Sequence, residues 1–191
     1  MADSVELLLE PSSDLSLLGD WAALEAEGLP NQSRHQSSSN SPHITLAAAA
    51  RIDARYDNAL VAAAEGETLS LTTAGFLVFP TRRKFVLARQ VVADAALTGL
   101  HQRVWRALDG LADPVTTTAR GAWTPHITLA HGLTADQLAA ALSVLRHRAA
   151  ESLAAGLVRR WDATAKRLIS LGGGGVRWHQ GSRGPGRSEA G

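Results

Sequence analysis

No cysteine occurs in the 191 residues, which excludes disulfides, thiolate metal sites and cysteine nucleophiles. Lysine is nearly absent: Lys84 and Lys166 are the only two among 19 basic residues, and the rest are arginine. No apolar run approaches the roughly 20 residues that a membrane helix needs. Neither a heptad nor a collagen-like period is present. The absence of G-x-S-x-G excludes an α/β-hydrolase, and the four glycines at 172–175 lack the Lys-Ser/Thr that would follow them in a phosphate-cradling loop. At the N-terminus, Asp3, Glu6 and Glu10 surround Val5–Leu9 with no basic region or cleavage pattern, so a signal peptide is not expected. The expectation is a soluble, cytoplasmic protein.

The chain is 45% hydrophobic, enough for one domain with a substantial core. A formal net charge of +1 conceals an asymmetry, because residues 1–50 hold seven acids and one base, Arg34, and most of the basic excess lies beyond them. Arginine suits bidentate phosphate recognition. On its own, the charge pattern is only weak support for an anionic partner.

Val5–Leu9 reads as a buried strand, and Pro11-Ser12-Ser13-Asp14 as turn and cap chemistry before a helix from Leu15 to Glu27 carrying Leu17, Leu18, Trp21 and Leu24. Residues 31–41 form a serine-rich loop. A strand from His43 to about Ile52 precedes a short helix near Tyr56–Ala64. Short strands follow at Leu69–Thr72, Phe76–Phe79 and Phe85–Leu87, with turns at Gly75 and Pro80–Arg83. Asp94–Leu108 is an amphipathic helix, and a strand spans His126–Leu129. Thr134 caps a helix bearing Leu138, Leu142, Leu145 and Leu153, and strands at Leu157–Trp161 and Arg167–Leu171 complete the domain. From Gly172 onward the sequence lacks the apolar content to pack and reads as a flexible tail.

One feature dominates. Pro42-His43-Ile44-Thr45-Leu46-Ala47 recurs unchanged as Pro125-His126-Ile127-Thr128-Leu129-Ala130. Chance would produce such a match in roughly one chain per hundred or fewer, so duplication of a half-domain is the economical reading. In a strand, His43 and Thr45 share one face while Ile44 and Leu46 take the other. Two such strands related by a pseudo-twofold would set two imidazoles and two hydroxyls across a cleft. One imidazole can then take a proton from water and the other give one to a departing oxygen, with hydroxyls donating to the non-bridging oxygens of a phosphodiester.

Paired H-x-T-x motifs about this far apart resemble the 2H phosphoesterase superfamily, and within it the bacterial 2′-5′ RNA ligase-like (LigT-like) branch. The likeness runs from the VELLL strand to about Gly172. It implies an α+β fold: bilobal, duplicated about a pseudo-twofold, with antiparallel sheets lining a central cleft and helices outside. A single domain over 1–172 would have halves of about 1–90 and 91–172 that can exchange strands, followed by a tail at 173–191. The resemblance further implies hydrolysis of 2′,3′-cyclic phosphate ends of RNA or nucleotides to 2′-phosphates, without metal or other cofactor. His43 and His126 would be catalytic, His126 as base and His43 as acid, with Thr45 and Thr128 binding phosphate. A monomer with no membrane partner is expected.

One position departs from the family's pattern, because many relatives place an arginine where this chain has His131. Arg82, Arg83, Lys84 or Arg120 are candidate substitutes on the cleft rim, where Phe79 and Trp123 could stack a base. For Phe79 and Trp123, core packing is the competing reading; for Arg82-Arg83-Lys84, a solvated turn. A metal site built from His43, His126 and His131 lacks an acidic ligand at motif spacing. In a straight strand His131 would also have the opposite parity from His126. His101 and His147 are read as solvated on helices, and His35 as a surface residue, with a place on the cleft rim as the competing reading. Two other readings remain: 2′-5′ ligation or cleavage, and a non-catalytic module holding nucleotides or RNA ends.

Overall fold

The computed structural model describes residues 2–34, 40–66 and 68–173. His35 and the tail beyond residue 173, with Arg177, Arg183 and Arg187, lie outside the described residues. The elements in order are β1 (Asp3–Leu9), α1 (Pro11–Ala26), β2 (His43–Ala49), α2 (Asp57–Ala64), β3 (Leu69–Pro80) and β4 (Phe85–Val91). They continue with α3 (Ala95–Ala107), β5 (His126–Leu133), α4 (Ala135–Leu145), β6 (Ser152–Asp162) and β7 (Arg167–Gly173). No helix among the described residues is long and apolar enough to cross a membrane.

All seven strands join one antiparallel sheet in the order β1-β2-β5-β4-β3-β6-β7, and a further β1–β6 pairing closes the first six into a circuit. Two groups are recognisable, β2-β1-β6-β7 and β5-β4-β3. They meet where β3 pairs with β6 and where β2 touches β5 at the single register pair Ile44↔Ile127. This is the expected bilobal α+β architecture.

The duplication is visible in the element order, because β1-α1-β2 and β4-α3-β5 are both strand-helix-strand units ending in the repeated hexapeptide. Each helix also reaches into the other half. Trp21 of α1 donates its indole N–H to the Thr128 carbonyl of β5 at 3.3 Å, and Trp105 of α3 donates to the Leu46 carbonyl of β2 at 3.1 Å. Beyond their one shared pair β2 and β5 diverge, and these indoles satisfy carbonyls that would otherwise be stranded. The halves are therefore interlocked. Ile44, Leu46, Ile127 and Leu129 are fully buried, each contributing about 1.5–3 kcal/mol.

Local chemistry moved several boundaries. Helix α1 begins at Pro11, whose missing N–H suits a first helical position, while Ser13 accepts instead from the Ala154 amide. Asp94 caps α3 through the Leu97 amide, and Thr134 with Gln137 forms a capping box on α4. Gly75 makes no turn. It lies in continuous β3, where the register slips between Thr73 and Phe76 and absorbs one extra residue as a bulge. β2 stops at Ala49 rather than Ile52, Leu153 belongs to β6 rather than α4, and β7 runs through Gly172 to Gly173. His101 is buried, 3% exposed, rather than solvated. Its ring stacks on Trp123 at 3.9 Å, and Nε2 bonds the Thr118 carbonyl.

Candidate active site

The two hexapeptides adopt the same burial pattern: proline, isoleucine, leucine and alanine buried, histidine and threonine half-exposed. Each carries the same irregularity. On β2, Leu46 is an extra residue between the pairs Val5↔Ala47 and Glu6↔Thr45; on β5, Leu129 is an extra residue between Leu87↔Ala130 and Ala88↔Thr128. A bulge here lets two consecutive residues face the core, and it ends the histidine-threonine face after the threonine. His131 is exposed beyond this bulge, at a second register shift between Ala130 and Leu133, so β5 is not straight there and a straight-strand parity does not apply to it.

His43 and Thr45 flank Ile44 on β2 as His126 and Thr128 flank Ile127 on β5, about the one register pair that the strands share. The two imidazoles are near enough for the His43 charge to act on His126. Neither threonine hydroxyl is hydrogen-bonded among the described residues.

Both rings are held alike. His43 Nδ1 lies 2.8 Å from the Ser41 carbonyl, and His126 Nδ1 lies 2.7 Å from the Thr124 carbonyl. A carbonyl only accepts, so Nδ1 carries a proton in each ring and Nε2 is left to exchange one. The surroundings of the two Nε2 atoms differ. The Phe79 ring lies against His126, with centroids 4.7 Å apart and planes tilted by 48°. Burial lowers the His126 pKa below 6.5 and the His43 charge lowers it further, outweighing the Thr124 bond, so its neutral form is favoured. Beside His43 stands a carboxylate: Glu6 Oε1 lies 3.8 Å from Nε2.

Glu6 is itself buried. Its Oε1 accepts from the Ser4 hydroxyl at 2.6 Å and its Oε2 from Arg159 Nε at 2.7 Å. Burial raises its pKa, but the charges of His43 and Arg159 and these two hydrogen bonds outweigh burial and hold it below the ordinary value. Sequence reasoning missed this carboxylate. The available signal was an acidic residue inside the otherwise apolar run Val5–Leu9.

The rim candidates separate. Arg82, Arg83 and Lys84 are exposed in the turn that follows Phe79, and none pairs with a carboxylate among the described residues. Arg120 turns away, donating to the Gln102 carbonyl on α3 and lining, with Arg106, a pocket of about 430 Å³. Trp123 donates its indole N–H to the Thr45 carbonyl at 2.9 Å and packs on His101, so it braces β2 as part of the core edge.

A sheet of interlocked halves thus presents two equivalent imidazole-hydroxyl pairs, and the family to which the chain is matched makes it a phosphodiesterase-type enzyme. The family model of the 2′-5′ RNA ligase superfamily matches residues 14–164, and the chain belongs to that superfamily, within the 2H phosphoesterases. Among solved structures it resembles Usb1 of Kluyveromyces marxianus with a TM-score of 0.52 at 13% identity, covering 90% of this chain and 97% of that one. The same Usb1 determined with uridine monophosphate aligns with a TM-score of 0.51 at 13% identity, covering 90% of this chain and 98% of that one. No curated protein matches the chain in sequence.

Proposed function

We propose that the protein hydrolyses 2′,3′-cyclic phosphate ends of RNA or nucleotides to 2′-phosphates, using His126 as base and His43 as acid. The observation that carries this reading is the pair of Nε2 atoms, each freed by an Nδ1–carbonyl bond, on two bulged strands that meet at Ile44 and Ile127. Family membership supports phosphodiester chemistry. The Usb1 structure with uridine monophosphate supports a nucleotide-sized occupant for a cleft of this fold.

Water attacks phosphorus as His126 Nε2 takes one of its protons. The bond from phosphorus to the 3′-oxygen breaks, and His43 Nε2 gives that oxygen its proton. Thr45 and Thr128 donate hydrogen bonds to the non-bridging oxygens as charge builds there. Proton exchange with solvent then restores both rings. The reaction needs no metal in this scheme.

A second reading, 2′-5′ phosphodiester cleavage or ligation, is favoured by the description of the family model. Incubation with 2′,3′-cyclic nucleotides and 2′-5′-linked dinucleotides, with products identified by phosphorus NMR, separates the two. Turnover of the cyclic nucleotides alone supports the first reading, turnover of the dimers alone the second. Turnover of neither leaves a binding module.

A further inference from the structure

The two hexapeptides are identical, as are their bulges and their histidine-carbonyl bonds, so nothing inside them distinguishes a proton donor from an acceptor. The distinction lies on the neighbouring strands. Opposite Thr45, β1 places Glu6; at the matching position opposite Thr128, β4 places Ala88. Opposite His43 and His126 stand Leu8 and Gln90, neither of them charged. Among the described residues the site therefore has a carboxylate on one side only, 3.8 Å from the exchanging nitrogen of His43.

We propose that Glu6 is a positioning residue that fixes the direction of proton transfer, making His43 the donor to the leaving oxygen. This rests on the hydrolytic reading above and deepens it. A carboxylate this close aims the Nε2–H of the donor imidazole. Glu6 does not itself take the proton. Its two oxygens have separate tasks: Oε2 is fixed by Arg159, and Oε1 is turned by the Ser4 hydroxyl toward His43. Arg159 is buried on β6, with the Asp14 carboxyl of α1 near enough to act on it electrostatically, so its charge is shared and does not cancel Glu6 alone. On the other side His126 stands against Phe79 with no carboxylate among its described partners, an environment suited to an acceptor.

A proton donor matters only when the leaving atom needs a proton. The test therefore compares uridine 2′,3′-cyclic phosphate with its analogue carrying sulfur in place of the 3′ bridging oxygen, since a thiolate departs without protonation. Glu6→Gln should lower kcat on the oxygen substrate by about tenfold or more. On the sulfur substrate it should change kcat by less than about twofold, with KM similar for both. His43→Ala should show the same selectivity more strongly, His126→Ala should lose both substrates, and Glu6→Asp should recover much of the oxygen activity. Equal losses on the two substrates in Glu6→Gln would make Glu6 merely structural and overturn the proposal, as would no loss on either. A wild-type enzyme that turns over neither substrate removes the hydrolytic reading itself, a different result. If Glu6→Gln does not fold, Ser4→Ala removes only the bond to Oε1; it should give a smaller loss confined to the oxygen substrate, and a loss shared by both would refute the assignment.

Discussion

Asp14 offers a quantitative check on the electrostatics behind the site. It lies in the first turn of α1, its Oδ1 is buried with no hydrogen-bond partner, and burial pushes its carboxyl up to about 6 from 3.8 against the pull of Arg159. Because the folded pKa is raised, folding favours the protonated acid. That contribution is complete below pH 3.8 and is lost as pH rises through about 6. Asp14→Asn keeps the shape without the charge, so it should gain stability over the wild type as pH rises. A shift of this size corresponds to roughly 3 kcal/mol at its full value. The side chain is only half-buried, so solvent screening brings the expected gain at pH 8 to about 1 kcal/mol. The α1 dipole, which favours an anion near its start, takes back about 0.3 kcal/mol. Thermal denaturation of both proteins across this range should show the difference in Tm growing between pH 4 and 7 by about 1.5–3 °C, then levelling. A difference that is flat with pH, or that shrinks as pH rises, would refute the reasoning, because losses unrelated to ionisation do not titrate.

Other outcomes follow from the same geometry. His43→Ala and His126→Ala should each lower turnover of a 2′,3′-cyclic nucleotide by at least about a hundredfold with binding of uncleaved ligand little changed, and Thr45→Ala and Thr128→Ala should cost less; near-normal turnover in either histidine variant contradicts the mechanism. The acidic limb of the pH–rate profile, reporting a base that must be neutral, should lie below 6.5, and Phe79→Ala should move it up toward 6.5 by rehydrating His126. Turnover should survive exhaustive chelation; rescue by a divalent ion after its loss would promote His131 to a ligand. Neutralising Arg82, Arg83 and Lys84 should reduce the salt slope of oligonucleotide binding by about 2, at roughly 0.7 for each phosphate no longer neutralised, while leaving a mononucleotide nearly unaffected.

Much of this architecture was legible because its elements are simple. The hexapeptide alternates apolar and polar residues, α3 repeats its apolar residues at helical spacing, and Asp94 and Thr134 are strong caps. The illegible parts share a physical cause: each depends on a neighbour that is distant in sequence. Gly75 has the composition of a turn, but pairing with β6 up to Thr72 and with β4 at Thr73 and from Phe76 onward keeps β3 continuous past it. Leu46 and Leu129 look like regular strand residues until pairing with β1 and β4 leaves each one unmatched. His101 sits beside charged residues on its helix, yet the loop carrying Thr118 and Trp123 folds over it. Arg120 precedes the second motif closely, which suggests the rim; the Gln102 carbonyl draws it to α3 instead. Glu6 needed the partner Arg159, 153 residues away, to make a buried acid tolerable.

The central claim is that water attacks the phosphorus of a 2′,3′-cyclic phosphate and the 3′-oxygen leaves. Turnover of uridine 2′,3′-cyclic phosphate in water enriched with oxygen-18, followed by phosphorus NMR, tests it most directly. The account predicts one product, the 2′-monophosphate, with a single heavy oxygen on phosphorus and none on the ribose, formed by the wild type and not by His126→Ala. A 3′-monophosphate, a product without the label, or no turnover at all would contradict it.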